Sequence, residues 1–280
     1  MHYQSLSLFS GLISLLCFLF FVISFFSTNN FTQKESLSIQ ENMHNEIYDP
    51  EIGSINTLQE LKKIIRIDVE QENLIGIEIP IYIDDLLRKK FIHGSSSINT
   101  KGNWLLQSAD YLFPYRELTF SFSPEDVAMH NRGICSQQAI LFQELVSDFG
   151  FEYESVGFNV PLLEFNEVGG DKEFNHFASA VKVDSNWYYF DSNLEPMYDR
   201  NNHLVYSELL IGQSKRLSEL YPSYKWADIT ESMIYRSSRN MFPAPNGFLF
   251  QQISKVFSFF SWIFFCLLSI LLLRLSKSYN

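Results

Sequence analysis

The sequence predicts an α+β domain between two membrane-spanning helices, and three observations lead to this expectation. Uncharged apolar runs lie near both ends of the 280-residue chain, at residues 6–26 and 256–273. All 32 acidic residues lie between these runs. Within the middle, a helical pattern is followed by a strand pattern and then by a hairpin pattern. This order is typical of an α+β domain with an antiparallel sheet.

Each apolar run is long enough for a membrane span, since about 17–25 apolar residues cross a bilayer. The first run has no basic residue before it and no A-x-A cleavage site after it, and it is longer than the roughly 7–15-residue apolar core of a signal peptide. We therefore expect an uncleaved transmembrane helix at residues 1–27. The alternatives are a cleaved signal peptide or, for either run, a buried core helix.

The charges around the second run predict the orientation of the chain. Lys255 precedes this run, whereas Arg274 and Lys277 follow it in the segment 248–280. The positive-inside rule places the richer basic flank in the cytoplasm. With two crossings, both termini are expected in the cytoplasm and the central domain on the other side of the membrane.

The net charge of the middle excludes some partners. Between Lys34 and Lys255 the chain has 32 acidic and 19 basic residues, a net charge of −13. Such a surface repels phosphate backbones, so nucleic acid is not an expected partner. It also keeps a domain soluble beside an anionic membrane. The sequence leaves the oligomeric state open.

The middle divides into a linker at residues 28–57, rich in Ser, Asn, Gln and Glu, and a domain at residues 58–247 with its core at 123–193. Thr57 and Glu60 have the spacing of a capping box, which predicts a helix. Isoleucines alternate with other residues from 77 to 83, which predicts a strand, and Pro80 places it at a sheet edge.

The core elements follow in order from the cap at Ser123. A short helix begins there, and a longer one begins near Cys135 and ends at the C-cap Gly150. Strand patterns cover residues 151–158, 177–183 and 187–190, with a turn at 184–186. A further helical pattern covers residues 207–220.

Cys135 is the only cysteine between the apolar runs, because Cys17 and Cys266 lie inside them. A lone thiol forms neither an internal disulfide nor a CxxC zinc site, and a buried inert thiol is the plain alternative. Its place in the first turn of a helix favours a nucleophile, since free N–H groups there stabilise a thiolate and an oxyanion. Gly133 is expected to let the backbone bend into this position.

His176 and Asp191 are the expected partners of the thiol. His176 opens one strand of the predicted hairpin and Asp191 closes the next, 15 residues later, with the turn near the midpoint. An antiparallel pairing brings the two side by side, so that the carboxylate orients the imidazole. His130 is the competing base, and His93 has no visible partner. The histidines are not clustered, so neither a metal site nor a cofactor is expected.

Three stretches carry a resemblance to a known family: GICSQQA from Gly133, HFASAVKV from His176, and NWYYFD ending at Asp191. They resemble the transglutaminase-like family, whose core is a papain-like cysteine fold with the cysteine helix on an antiparallel sheet. The resemblance implies Cys135 as nucleophile, His176 as general base and acid, and Asp191 as orienter. It also implies that Trp187 covers these residues and contributes to substrate binding.

Departures from the family pattern concern packing or substrate: Ser179 stands where many members have an aromatic residue, and Ser192 where proline is common. Papain-like enzymes also use a side-chain amide as a second oxyanion donor, for which Asn103 and Gln107 are the candidates here.

Two functions follow as hypotheses. The first is a membrane-anchored enzyme acting on a peptide or other amide-containing substrate through a thioester on Cys135, with water or an amine as acceptor. The second is a non-catalytic binding or scaffold module on the same fold.

Overall fold

The computed structural model describes residues 2–26, 48–113, 118–161, 173–193, 234–236 and 245–278. The chain forms a mixed helix-and-sheet protein with two compact units. The terminal unit comprises Met1–Thr32, Ser97–Phe120 and Asn246–Asn280, and the central unit comprises Gln33–Ser96 and Ser121–Pro245. The predicted helix at 207–220 lies outside the described residues.

The terminal unit contains the two long apolar helices, α1 (His2–Phe26) and one at Pro245–Ser278, which is α8 in chain order. Both are long and apolar enough to cross a membrane. They pack against each other through small polar residues. The hydroxyls of Ser7, Ser10 and Ser14 donate to backbone carbonyls of α8 at 3.0, 2.9 and 2.7 Å. Small residues at such a contact let two helix backbones approach closely.

The central unit begins earlier than the sequence predicted. The described part of the expected linker contains α2 (Pro50–Gly53), which is capped by the Asp49 side chain. The Asp49 N–H donates to the Lys89 carbonyl at 2.8 Å, and Ile52 and Ile55 pack against the core. Residues 48–57 therefore belong to the packed domain rather than to a linker.

Helices α3 (Leu58–Glu72) and α4 (Glu78–Lys90) follow. The predicted cap of α3 is confirmed, because the Thr57 hydroxyl accepts from the Glu60 N–H at 3.2 Å. The predicted strand at 77–83 is wrong, because Ile77 is the N-cap of α4 and the helix contains the other six residues. Pro80 lies in the first turn of α4, where its missing N–H costs nothing. Basic residues in its last turn stabilise the helix, because their charges interact favourably with the negative end of the helix dipole.

Two short strands and two helices precede the core elements. β1 (Ile92–His93) pairs in parallel with β2 (Arg132–Gly133). α5 (Trp104–Leu112) belongs to the terminal unit, so the predicted domain at 58–247 is interrupted there. The central unit resumes with α6 (Pro124–Ala128), whose predicted cap Ser123 accepts from the Asp126 N–H at 3.1 Å.

The predicted helix–strand–hairpin order is confirmed. α7 (Cys135–Asp148) is followed by β3 (Glu152–Pro161), β4 (Glu173–Val183) and β5 (Asn186–Phe190), and β6 (Ile234–Arg236) adds a further strand. The sheet is antiparallel with the order β5-β4-β3-β6. Gly150 ends α7 with φ +82°, and Asp184 turns the hairpin with φ +55°.

Helix α7 packs on strands β3 and β4. The buried Gln143 amide donates to the Ser155 and Ser179 hydroxyls at 3.0 and 3.1 Å, which joins the helix to both strands. The apolar core lies around this contact and extends to α3 and α4. Its fully buried members include Leu61, Ile65, Ile83, Leu87, Leu141, Val146 and Val181.

Candidate functional site

Cys135 is the first residue of α7, as predicted, and its side chain is partly exposed. The preceding turn is fixed by Gln137, which is fully buried. Its amide oxygen accepts from the Ile134 and Ser96 N–H groups at 3.3 and 3.0 Å, and its amide nitrogen donates to the Ser96 carbonyl at 2.7 Å. A glutamine three residues after an N-cap is a sequence signal that would have identified this role.

Gly133 serves close packing rather than a bend. Its φ is not positive, unlike that of Gly94 or Gly150. A Cβ at this position would lie 3.1 Å from the Gln138 side chain and 3.4 Å from the Phe91 ring. The expectation of a special backbone conformation is therefore wrong. The absence of a side chain here lets the strand before Cys135 pack closely.

His176 and Asp191 lie side by side, as their positions in the hairpin predicted. The His176 Nε2 and Asp191 Oδ2 atoms are 2.7 Å apart, and each residue is only 1% exposed. The other carboxylate oxygen accepts from the Asn193 N–H at 3.1 Å. The Tyr189 hydroxyl lies 3.4 Å from Oδ2. These contacts hold the carboxylate in one orientation toward the imidazole.

The Cys135 thiol interacts with the same imidazole, since it is one of the groups that raise the pKa of His176. Burial opposes the charged imidazolium, but the Asp191 carboxylate and then the Cys135 thiol outweigh it and raise the pKa of His176 to about 10. The pair with Asp191 therefore favours the protonated form of the imidazole.

This pKa shift also determines how the site contributes to stability. The folded-state pKa of His176 lies above the ordinary value of 6.5. A group of this kind stabilises the fold fully below its unfolded pKa and loses that contribution as pH rises through the folded pKa. The pair of His176 with Asp191 therefore contributes stability that is complete below pH 6.5 and is lost as pH rises through about 10.

A buried ion pair on α4 supports the loop that carries Asp191. The fully buried Asp84 accepts from the Ser192 hydroxyl at 2.6 Å and from Arg88 Nε at 3.3 Å. Arg88 also donates to the Asp191 carbonyl. This support was not expected from the sequence. The signal was an acid and an arginine four residues apart on one helix, a spacing that places them on the same face.

His93 has a partner that the sequence did not reveal. It lies in β1 opposite Gly133, and its Nδ1 is 3.0 Å from the Asn193 side-chain nitrogen. An amide nitrogen only donates, so Nδ1 accepts and the ring proton lies on Nε2. Asn193 also contacts Asp191 through its backbone N–H. His93 is therefore linked to the carboxylate of the site by one residue.

Trp187 lies at the other end of β5 from Asp191. It pairs with Lys182 beside the hairpin turn, and the four-residue separation from Asp191 corresponds to about 13 Å along a strand. Tyr189 is the aromatic residue whose hydroxyl reaches the carboxylate. The role of Trp187 in substrate binding stays a prediction.

The two amides expected as oxyanion donors are engaged within the terminal unit. Asn103 is bonded to the Ser254 and Ser258 hydroxyls at 3.0 and 3.1 Å. Gln107 donates to the Ser24 and Thr100 carbonyls at 3.2 and 3.0 Å. Both side chains therefore fasten α5, and the expectation that they serve the thiol finds no support.

No group of three or more His, Cys, Asp or Glu side chains that could hold a metal ion occurs within the described ranges. Comparison of the chain with known protein families, with curated proteins and with solved structures found no match.

Proposed function

We propose that this protein is a membrane-anchored cysteine-dependent enzyme that acts on amide or peptide bonds, as members of the transglutaminase-like family do. One observation carries the proposal: a buried imidazole is paired at 2.7 Å with a buried carboxylate, and a partly exposed thiol at a helix N-terminus is among the groups that raise the pKa of this imidazole. This arrangement supplies a nucleophile, a proton carrier and an orienting group.

In the proposed reaction, the Cys135 thiolate attacks the carbonyl carbon of an amide. The N–H groups of the first turn of α7 stabilise the resulting oxyanion. The His176 imidazolium then protonates the departing amine as the carbon–nitrogen bond breaks, which leaves a thioester on sulfur and a neutral imidazole. Water or an amine attacks this thioester, His176 accepts its proton, and the thiolate is released.

We further propose that α1 and α8 cross the membrane with both termini in the cytoplasm. Their length and apolar character, together with the basic residues after α8, support this orientation. The central unit is then extracytoplasmic, and its substrate is a peptide or amide on that side of the membrane.

Thiol reactivity tests the proposed chemistry without knowledge of the substrate. Iodoacetamide should modify Cys135 rapidly at pH 6–8, because an imidazolium beside the sulfur maintains the thiolate form. An ordinary thiol is only a few per cent ionised near pH 7. Peptide mapping by mass spectrometry gives the rate at Cys135 separately from those at Cys17 and Cys266.

His176→Gln is the matched variant for this experiment. We expect its labelling to be slow at neutral pH and to rise with pH like that of an ordinary thiol, whose pKa is about 8.5. Equal labelling rates and equal pH profiles for both proteins would show that His176 does not activate the thiol. The non-catalytic alternative would then be favoured.

The orientation is tested by single-cysteine reporters at two exposed positions, Glu51 and Lys277. In intact cells a membrane-impermeant maleimide should label a cysteine at position 51 and should not label one at 277 until the membrane is permeabilised. Labelling of both positions, or of neither, before permeabilisation would contradict two crossings with cytoplasmic termini.

A further inference from the structure

Three consecutive large apolar residues are exposed at the end of α5. Tyr111, Leu112 and Phe113 are 85%, 67% and 56% exposed. A contiguous apolar surface of this kind marks an interaction site in a soluble protein or contact with lipid. The surroundings of α5 in the terminal unit decide between these two possibilities.

The start of α5 is fastened to both long helices. The Trp104 ring stacks on Phe20 of α1 at a centroid distance of 5.5 Å and lies 6.1 Å from Phe257 of α8. The Leu105 N–H donates to the Ser258 hydroxyl at 3.1 Å. Rings and backbone together thus anchor the first turn of α5 against α1 and α8.

These contacts place the first turn at a defined depth. Phe20 lies six residues before the end of the apolar run at residue 26, which is about 9 Å at the helical rise of 1.5 Å per residue. Ser258 lies two residues inside the apolar run that begins at 256. If both runs span a bilayer, α5 begins at the outer edge of the hydrocarbon, within the roughly 5–10 Å where interfacial helices bury their apolar face.

The composition of α5 suits that depth. Its sequence, WLLQSADYL, contains no basic residue and one acid. That acid, Asp110, is buried and accepts from the Thr119 hydroxyl at 3.5 Å. The first-turn N–H of Leu106 is bonded to the Asn103 side chain at 3.2 Å. Trp and Tyr are the residues that membrane interfaces favour.

We propose that α5 is an interfacial helix and that Tyr111, Leu112 and Phe113 insert into the lipid headgroup region of the bilayer that α1 and α8 cross. The partner is the lipid surface rather than a second protein, because the anchored end of α5 already lies at the hydrocarbon boundary. The proposal rests on the two spanning helices and is independent of the thiol chemistry. It gives the protein a third membrane contact within the segment that interrupts its domain.

A fluorescent label at position 112 tests this contact. The full-length chain carrying Cys17→Ala, Cys135→Ala, Cys266→Ala and Leu112→Cys is labelled with a nitrobenzoxadiazole maleimide and reconstituted into phosphatidylcholine liposomes. Emission is measured with a nitroxide on the upper acyl chain of the lipid and, separately, with iodide on both sides of the bilayer. Matched references carry the label at Leu15, in the middle of α1, and at Lys277.

The label at 112 should lose emission with the lipid nitroxide and should be quenched by iodide much less than the label at 277. Quenching by iodide equal to that at 277, without an effect of the nitroxide, would overturn the proposal. Protection from both quenchers would show that protein covers the residue and would overturn it as well. Access of iodide to the label at 15 would remove its premise, namely that α1 spans the bilayer.

Discussion

Replacing Cys135 with alanine should abolish covalent labelling at this position and all turnover, while the central unit remains folded. No other group can form the thioester, so the loss of activity is complete rather than partial. The side chain is small and partly exposed, so the change should alter the free energy of unfolding by no more than about 1–2 kcal/mol. Thermal unfolding and labelling on the same preparation check both parts.

Cys135→Ser is the matched variant, because it retains a hydrogen-bonding group beside His176 but provides a far weaker nucleophile. It should be as inactive as the alanine variant and at least as stable. If Cys135→Ala instead unfolds the central unit, the thiol is a packing residue, and the proposed chemistry has no nucleophile. Retained turnover in either variant would lead to the same conclusion.

Much of the site could be predicted from local sequence, because Cys135 begins a helix and Asp191 directly follows a strand. His176 lies three residues inside β4 rather than at its start, where the sequence had predicted it. A helical pattern of apolar residues after it placed Cys135 at a helix start, and a hairpin with a short turn placed His176 and Asp191 on neighbouring strands. In an antiparallel hairpin the turn fixes the register, and the register determines which residues meet. Local signals were therefore sufficient to bring the imidazole and the carboxylate together.

The elements around α4 were predicted less well. Isoleucines alternating from 77 to 83 match a strand, but the buried positions Ile83, Leu86 and Leu87 also fit one face of a helix. Short apolar runs do not distinguish the two periods, and packing against α7 decides for the helix. The segment at 48–57 looked like a linker because its few apolar residues, such as Ile52 and Ile55, are separated by polar ones.

The contacts that support Asp191 and His93 could not be predicted from the sequence, because their partners are far apart along the chain. Asp84 and Ser192 are 108 positions apart, and His93 and Asn193 are 100 apart. Their pairing depends on how α4 and β1 pack beside the end of β5. No local pattern encodes such a contact, and each residue alone has an ordinary surface role as its simplest interpretation.

Replacing Asp191 with asparagine should leave the fold intact and impair turnover by about 10–10³-fold, which is about 1.4–4 kcal/mol of transition-state stabilisation. The carboxylate is the group that most strongly raises the pKa of His176 against the effect of burial. Without it, the buried imidazole loses its second proton at lower pH, and the thiolate loses its counter-ion. In serine proteases the equivalent change costs about 10⁴ in rate because it traps the wrong tautomer. A thiol ionises more readily than a hydroxyl, so a smaller loss is expected here.

The pH dependence distinguishes this mechanism from a general structural defect. In the native protein the imidazolium persists until pH approaches about 10, so rapid labelling of Cys135 should extend unchanged across neutral pH. In Asp191→Asn, rapid labelling should be confined to lower pH, where the imidazole is still protonated. Iodoacetamide rates measured from pH 5 to 10 on both proteins give the two profiles.

Tyr189→Phe is the matched control for the Asp191 variant. It removes the hydroxyl 3.4 Å from Oδ2 but retains the carboxylate and the buried ring, so it should cost no more than about 0.5–1.5 kcal/mol, the net worth of one hydrogen bond. Its labelling profile should match that of the native protein. If both variants lose activity equally with unchanged pH profiles, Asp191 acts through packing alone. If Asp191→Asn retains native rates at every pH, the carboxylate does not orient or charge His176, and the proposed triad reduces to a thiol beside a buried histidine.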